Sequence, residues 1–300
     1  GGVQVSLLNP LGYGDQATLS VSGSSGLKIG RASYGFPVGY SGLRANLQYT
    51  YLDYELIDSL SKSLGISGTS KQASATLSYP WLVANDKNIN LSATFSNKQL
   101  EDEYAKLHTV VKRHELNLGS VAIDGSVIDS FGGGGQTRYQ VEHTLGHLDI
   151  KDAYVYNDSF DAEGYRTAGN FQKTTLQLNR LQQLSPAFQA AFNFNGQLAY
   201  QNLSSSEQFF LGGVSGVRAY PSSEGAGDTG ATSSAELIYN LVKPYGRVQL
   251  KGFFDYGFID LHYDNYNLTT GQFMPIDTAT KRSQYGLSGA GLSMMLTDQK

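Results

Sequence analysis

The amino-acid sequence predicts an all-β fold, a transmembrane antiparallel β-barrel, and three features lead to that prediction. Apolar and polar residues alternate over long segments, the polar faces are mostly uncharged, and short connections alternate with long ones. Charged residues make up only 16% of the 300 residues, while Gly (35) and Tyr (20) are abundant. No run approaches the 18 or so apolar residues of a membrane-spanning helix, but a membrane-spanning strand needs only about ten residues, every second one apolar.

The alternation is clearest between positions 188 and 201. One face carries Phe188, Ala190, Phe192, Phe194, Leu198 and Tyr200, and the other carries Gln189, Asn193, Asn195, Gln197 and Gln201. A soluble sandwich also alternates, but its water-facing side is usually rich in Lys and Glu. Neutral polar faces and many segments of roughly 10–17 residues, against an average strand of about five or six, favour a barrel with lipid outside and water inside.

Thirteen strands are predicted from this pattern. They span 2–8, 16–23, 27–37, 43–57, 71–80, 89–103, 107–123, 136–149, 170–182, 188–202, 230–241, 247–262 and 283–296. Bacterial single-chain barrels have an even number of strands. We therefore interpret residues 1–300 as one incomplete transmembrane barrel domain, which lacks further strands of the full protein.

The connections follow a second pattern, in which short and long ones alternate. Six are short, at 9–15, 37–42, 80–88, 129–135, 185–187 and 243–246, and five of the seven prolines lie in or beside them. Proline cannot donate to a strand ladder, so it marks positions where strands end. Several others are long, at about 58–70, 150–170, 203–230 and 263–282. Short periplasmic turns and longer extracellular loops are typical of outer-membrane barrels.

The connection 203–230 differs from the others in its composition. It is rich in glycine, shows no strand alternation, and contains Leu211-Gly212-Gly213 followed by Val217-Arg218-Ala219-Tyr220. A hairpin turn needs only two to five residues, so a loop of this length is expected to fold and to have a function. The strand after the next turn carries Phe253-Phe254-Asp255-Tyr256-Gly257. Alternation along that strand directs Asp255 to the lumen, and Glu236 on the preceding strand also faces inward.

These motifs resemble those of the two-partner-secretion transporters of the haemolysin secretion/activation type. That family carries Val-Arg-Gly-Tyr/Phe in its sixth extracellular loop, after Leu-Gly-Gly, and Phe-x-Asp-x-Gly in its thirteenth strand. The present chain matches the second motif fully and the first with Ala219 in place of glycine. Two earlier segments, 9–15 and 34–39, are also similar to a turn and a strand end of the family.

The resemblance implies a barrel of sixteen strands in the full protein, of which this chain would hold strands two to fourteen. The first strand, the last two strands and the N-terminal periplasmic POTRA domains would lie outside it. The resemblance also implies that Arg218 of the loop pairs with Asp255 of the wall. From the residues alone, Asp255 remains open to a second interpretation, as one more hydrated charge of the lumen.

The function implied is export across the bacterial outer membrane. The partner would be a secreted polypeptide, an adhesin or haemolysin, and the barrel would contact outer-membrane lipid. An outer-membrane protein insertase of the same superfamily is the alternative, and a diffusion porin is a weaker one. The net charge of −4 gives no reason to expect nucleic-acid binding, and we expect neither a cofactor nor an enzymatic activity.

Metal sites and catalytic sites are not predicted. The chain has no cysteine, and His143 and His147 lie on an alternating segment, where four residues separate them by about 13 Å. Asp158, Asp161 and Glu163 are interpreted as part of a solvated loop rather than a calcium site, and the glycines 132–135 as a turn rather than a phosphate loop. No serine, histidine and carboxylate occur in a triad-like context.

Overall fold

Most of the chain forms one large antiparallel sheet. The computed structural model describes residues 1–55, 65–104, 109–151, 161, 164–222, 224–243, 246–264, 266–267, 272–273 and 283–298. The thirteen strands of the sheet are β1 (Gly2–Leu8), β2 (Gln16–Ser24), β3 (Leu27–Pro37), β4 (Arg44–Glu55), β5 (Ile66–Val83), β6 (Lys87–Tyr104), β7 (Thr109–Asp129), β8 (Gly135–Ile150), β9 (Gly169–Gln183), β10 (Phe188–Ala199), β13 (Thr229–Lys243), β14 (Gly246–Asp260) and β17 (Gln284–Asp298). They correspond one to one to the thirteen predicted strands.

Every neighbouring pair of strands in the sheet is also consecutive along the chain, apart from two interruptions. A short ribbon of β11 (Phe209–Phe210) and β12 (Ala226–Gly227) lies between β10 and β13, and one of β15 (Tyr266–Asn267) and β16 (Gln272–Phe273) lies between β14 and β17. Within the described ranges, β1 and β17 are the two end strands and do not pair with each other. A 3₁₀ turn, Phe131–Gly133, joins β7 to β8. Among the described residues, no helix is long and apolar enough to cross a membrane.

The two faces of the sheet differ as the alternation predicts. Leu47, Phe95, Phe192 and Phe254 lie on the outer face and are between 42% and 60% exposed. The residues adjacent to them in sequence, such as Gln48, Thr94, Asn193 and Asp255, point to the opposite face. A soluble protein does not leave so many large apolar side chains in contact with water, because their burial is the main driving force of folding. The outer face is therefore a lipid-facing surface.

The turn predicted at 80–88 is wrong at both ends, because only residues 84–86 lie between the strands. Strand β5 continues through Pro80 to Val83, and β6 already begins at Lys87. Pro80 pairs with Asn90 inside the ladder, and the register shifts directly after it, between Pro80 and Leu82. Proline lacks the amide hydrogen that a ladder requires, so it is tolerated in a strand where a bulge interrupts the pairing.

Strands β5 to β8 are longer than the membrane requires. They contain 18, 18, 21 and 16 residues, against 7, 9 and 11 in β1, β2 and β3. A membrane-spanning strand needs about 9–11 residues. The ends of β6 and β7 distant from the short turns carry charges on the outer face, such as Arg113 and Glu101, whose Nε and Oε2 are 2.7 Å apart. This side of the barrel, which we call the tall wall, therefore extends beyond the lipid. The sequence underestimates β5 and β6 at both ends, and β7 by six residues beside its short turn, 124–129, where the apolar alternation ends.

An arginine scan of adjacent positions tests the two faces. We expect Phe192→Arg in the full-length protein to reduce the free energy of unfolding in lipid vesicles by about 2–4 kcal/mol, because an arginine near the bilayer midplane faces hydrocarbon. Asn193→Arg is the matched control and should change that free energy little, because its side chain enters the hydrated lumen. Denaturant titration of both variants measures the difference. Equal losses at positions 192 and 193 would show that the two faces are assigned wrongly.

Candidate functional site

The connection between β10 and β13, residues 200–228, folds into a defined loop held by its own backbone. Strands β11 and β12 pair at its base, where Phe209 lies opposite Gly227. Beyond them, the amide of Leu211 donates to the carbonyl of Gly225 at 2.8 Å, and the amide of Val217 donates to the carbonyl of Leu211 at 2.8 Å. The loop therefore presents Val217–Tyr220 at a fixed position rather than on a flexible chain.

Gly213 is required at the bend that leads to this tip. Its φ is +99°, and a Cβ atom there would lie 2.9 Å from the Cα of Ser222. Its amide donates to the carbonyl of Tyr220 at 3.0 Å, and the amide of Tyr220 donates to the carbonyl of Val217 at 3.1 Å. The second glycine of the Leu-Gly-Gly segment thus closes the loop onto the tip, since other residues adopt this backbone conformation only under strain.

Arg218 contacts the barrel wall through every part of its guanidinium group. Its Nε donates to Oδ2 of Asp255 at 2.8 Å and its Nη2 to Oδ1 at 2.7 Å, which is a two-pronged pair. The Arg218 amide also donates to Oδ2 of Asp255, at 3.1 Å. Nη1 donates to Oε1 of Glu236 at 2.5 Å, and Nη2 also donates to Oγ of Ser234 at 2.8 Å. The Cζ atom lies 3.7 Å from the centre of the Phe253 ring. A planar, five-donor group is the side chain best suited to this geometry.

The pairing of β13 with β14 brings these wall residues together. Ser234 lies opposite Asp255, and Glu236 lies opposite Phe253. All four occupy alternate positions, so their side chains project into the lumen from one patch of two strands. The Asp255 side chain is fully buried, whereas the side chains of Glu236 and Arg218 are 14% and 27% exposed. A buried carboxylate needs a cation with hydrogen bonds, and Arg218 supplies both.

The other predicted site residues shape the contact rather than carry charge. Val217 is fully buried. A Cβ atom at Gly257 would lie 3.0 Å from Cδ2 of Leu211, so glycine leaves room for the loop against β14. A Cβ atom at Gly289 of β17 would lie 2.8 Å from Cβ of Ala219. The alanine at 219 is therefore accommodated by a glycine on the facing wall.

Sequence reasoning missed several of these partners. Ser234 lies two positions before Glu236 on the same strand face, so strand alternation alone identifies it. Gly289 is distant in sequence, and only the pairing of Asp255 with Gly289 across β14 and β17 brings it to the site. Lys98 contacts Glu207 over a sequence separation of 109 residues, and no local pattern marks it.

The residues weighed as metal ligands have ordinary partners. Nδ1 of His143 lies 2.9 Å from Oγ1 of Thr174, and Nδ1 of His147 lies 2.7 Å from Oδ1 of Asn170. Oδ1 of Asp161 accepts from the amide of Thr167 at 2.9 Å, while Asp158 and Glu163 lie outside the described residues. In the part of the chain that the structure describes, no three His, Cys, Asp or Glu side chains are grouped to hold a metal ion.

Comparison of the fold with solved structures identifies outer-membrane barrels. CdiB from Escherichia coli matches with a TM-score of 0.70 at 19% identity, over 98% of this chain and 53% of that one. CdiB from Acinetobacter baumannii matches with a TM-score of 0.66 at 16% identity, over 97% and 49%. BamA from Haemophilus ducreyi lacking POTRA domains 1–3 matches with a TM-score of 0.62 at 13% identity, over 98% and 60%. The shared feature is the fold.

Comparison of the sequence identifies the family. The heme/hemopexin transporter protein HuxB of Haemophilus influenzae is 29% identical over 300 residues, which cover 98% of this chain and 50% of that protein. The chain thus spans about half the length of the curated relatives that it matches. The model of the haemolysin secretion/activation protein family ShlB/FhaC/HecB matches residues 1–274. This chain therefore belongs to that family, and it forms an outer-membrane β-barrel.

Proposed function

We propose that the full protein exports a large partner polypeptide, of the adhesin or haemolysin kind, from the periplasm to the cell surface through this barrel. Membership of the haemolysin secretion/activation family supports the proposal, as does the similarity to a protein named as a transporter. The relatives are about twice as long as this chain, which supports the view that further strands and periplasmic POTRA domains belong to the full protein. No residue is assigned a catalytic role.

The observation that carries the proposal is the loop anchored inside the barrel. Arg218 holds the loop tip on Asp255 and Glu236 of the lumen wall. A diffusion porin has to remain open to small solutes, whereas an exporter has to stay closed until its cargo arrives. A folded loop whose tip is attached to the wall by polar contacts is suited to the second task, because a polypeptide can displace it without unfolding the barrel.

The chemistry of the lumen also supports transport of an unfolded chain. The inward-facing positions of β6 and β10 include Thr94, Ser96, Asn193, Asn195 and Gln197. Hydroxyl and amide groups form hydrogen bonds with any peptide, each with a net value of only about 0.5–1.5 kcal/mol. A cargo of varied sequence therefore meets many weak contacts along these positions.

Deletion of the gene in its own host tests export against the alternatives. We expect one large extracellular protein to disappear from the medium and cell surface and to return on complementation, because an exporter of this kind serves a dedicated partner. The abundance of outer-membrane proteins is the control and should stay unchanged. A broad loss of outer-membrane proteins would instead identify an insertase, and a change confined to small-solute uptake would identify a porin.

Substitutions at Arg218 and Asp255 test whether the anchor serves secretion. Arg218→Lys keeps the charge but loses the two-pronged geometry, so we expect it to impair secretion while the barrel still assembles. Arg218→Ala and Asp255→Ala should each impair secretion, and the double variant should be little worse than either, because both remove the same contact. Secretion is measured by immunoblot of the cargo in the medium, and assembly by the heat-modifiable band.

The matched control for this cycle is Arg31→Ala. Arg31 projects into the lumen from β3, and none of the described ion pairs includes it. The substitution removes one positive charge from the lumen, as Arg218→Ala does, and it should leave secretion unchanged. Fully additive losses at positions 218 and 255, or normal secretion by Arg218→Ala, would contradict a shared role.

A further inference from the structure

The first limb of the loop, residues 200–208, has an attachment of its own to the lumen wall, on strands other than β13 and β14. Oε1 of Glu207 lies 3.2 Å from Nζ of Lys98 on β6, and Oε2 lies 2.9 Å from Nζ of Lys173 on β9. Each carboxylate oxygen thus has its own ammonium group, and the two lysines come from strands that are three places apart in the sheet. Glu207 therefore joins the loop to two separate strands of the wall.

The same lysines also hold the backbone of the loop. Nζ of Lys173 donates to the carbonyl of Glu207 at 2.9 Å, and Nζ of Lys98 donates to the carbonyl of Ser206 at 3.2 Å. Nε2 of Gln197 donates to the Glu207 carbonyl as well, at 3.0 Å. These five contacts fix both the side chain and the main chain at this point of the loop.

Burial makes this cluster sensitive to the loss of one charge. The side chains of Glu207, Lys173 and Lys98 are only 8%, 14% and 17% exposed. Burial alone would raise the pKa of Glu207, but the ammonium groups of Lys173 and Lys98 outweigh burial and hold the pKa below its ordinary value. Removing one partner of a buried pair is strongly destabilising, because the remaining charge is left without compensation. Here two ammonium groups would remain and would repel each other.

Apolar packing beside the cluster holds the limb to β7, β8 and β9. Leu203 is buried against Leu116 of β7, Leu148 of β8 and Phe171 of β9. Ser204 is also buried, and its Oγ lies 3.5 Å from Nδ1 of His114. These contacts are made by β7, β8 and β9, whereas Arg218 is bound by β13 and β14.

We propose that Glu207, Lys98 and Lys173 form a second anchor, which positions the first limb of the loop independently of the Arg218 anchor. Together the two anchors make the loop a latch held at two separate places on the lumen wall. The proposal rests on the proposed function, since a cargo that passes the lumen must release both attachments. Release leaves two ammonium groups, on β6 and β9, and two carboxylates, Glu236 and Asp255, on β13 and β14.

Cysteine labelling of the full-length protein in membranes, without cargo, tests the second anchor. This chain has no cysteine of its own, so Ser204→Cys provides a buried reporter and Ser205→Cys an exposed reference. We expect Glu207→Gln to raise the rate of maleimide labelling at position 204 by about tenfold, which corresponds to about 1.4 kcal/mol of loop attachment. The rate at position 205 should change little. Lys173→Gln, a second variant in case Glu207→Gln does not assemble, should raise the rate less, because Lys98 remains.

Two further variants separate this anchor from other effects. Glu142, Lys173 and Glu207 line the same part of the lumen. Glu142→Gln therefore removes a nearby carboxylate that is not part of the anchor, and it should leave the labelling rate unchanged. Arg218→Ala combined with Glu207→Gln should raise labelling beyond Glu207→Gln alone, because two independent attachments are lost. An unchanged rate with both Glu207→Gln and Lys173→Gln, or an equal rise with Glu142→Gln, would overturn the second anchor. The labelling requires no cargo, so failure of the anchor is distinct from failure of the export function.

Discussion

Asp255 imposes the constraint on which the position of the loop depends. Its carboxylate is fully buried on the inner face of β14, and an ionised group in such a place is very unfavourable without a hydrogen-bonded cation. Arg218 of the loop provides three donors to its two oxygens. The wall therefore requires the loop in one location, and Glu236, Ser234 and the Phe253 ring fix the orientation of the guanidinium there.

The strands of the barrel differ in length, and this difference supports the position of the loop. The tall wall extends beyond the lipid and packs against Leu203 and Glu207 of the loop, while β13, β14 and β17 hold the tip. The wall has no side chain at Gly257 and Gly289, which leaves room for Leu211 and Ala219 of the loop. Charged contacts thus hold the loop at two separate places on the lumen wall, and apolar contacts pack it beside them.

Strand alternation in the sequence was sufficient to predict the thirteen strands, the lipid face and the inward direction of Asp255 and Glu236, because lipid and water impose opposite demands on adjacent residues. Alternation failed to predict the strand ends where lipid and water do not lie on opposite faces of the strand. Residues 66–70 of β5 pair with the charged end of β6, which includes Glu101 and Glu103, and Pro80 is accepted where the register shifts. The Arg218–Asp255 contact was predicted from the family resemblance and not from alternation. The Lys98–Glu207–Lys173 cluster could not be predicted, since its members meet only through the curvature of the sheet.

A disulfide that locks the loop tip to the wall tests the central claim, that cargo must displace this loop. A Cβ atom at position 289 would lie 2.8 Å from that of Ala219, so Ala219→Cys with Gly289→Cys needs a shift of only about 1 Å to reach disulfide geometry. Secretion of the cargo by this full-length variant is measured under oxidising conditions and after reduction, beside each single variant. We expect secretion to stop when the bond forms and to resume when it is reduced. Undiminished secretion by fully cross-linked protein would contradict it.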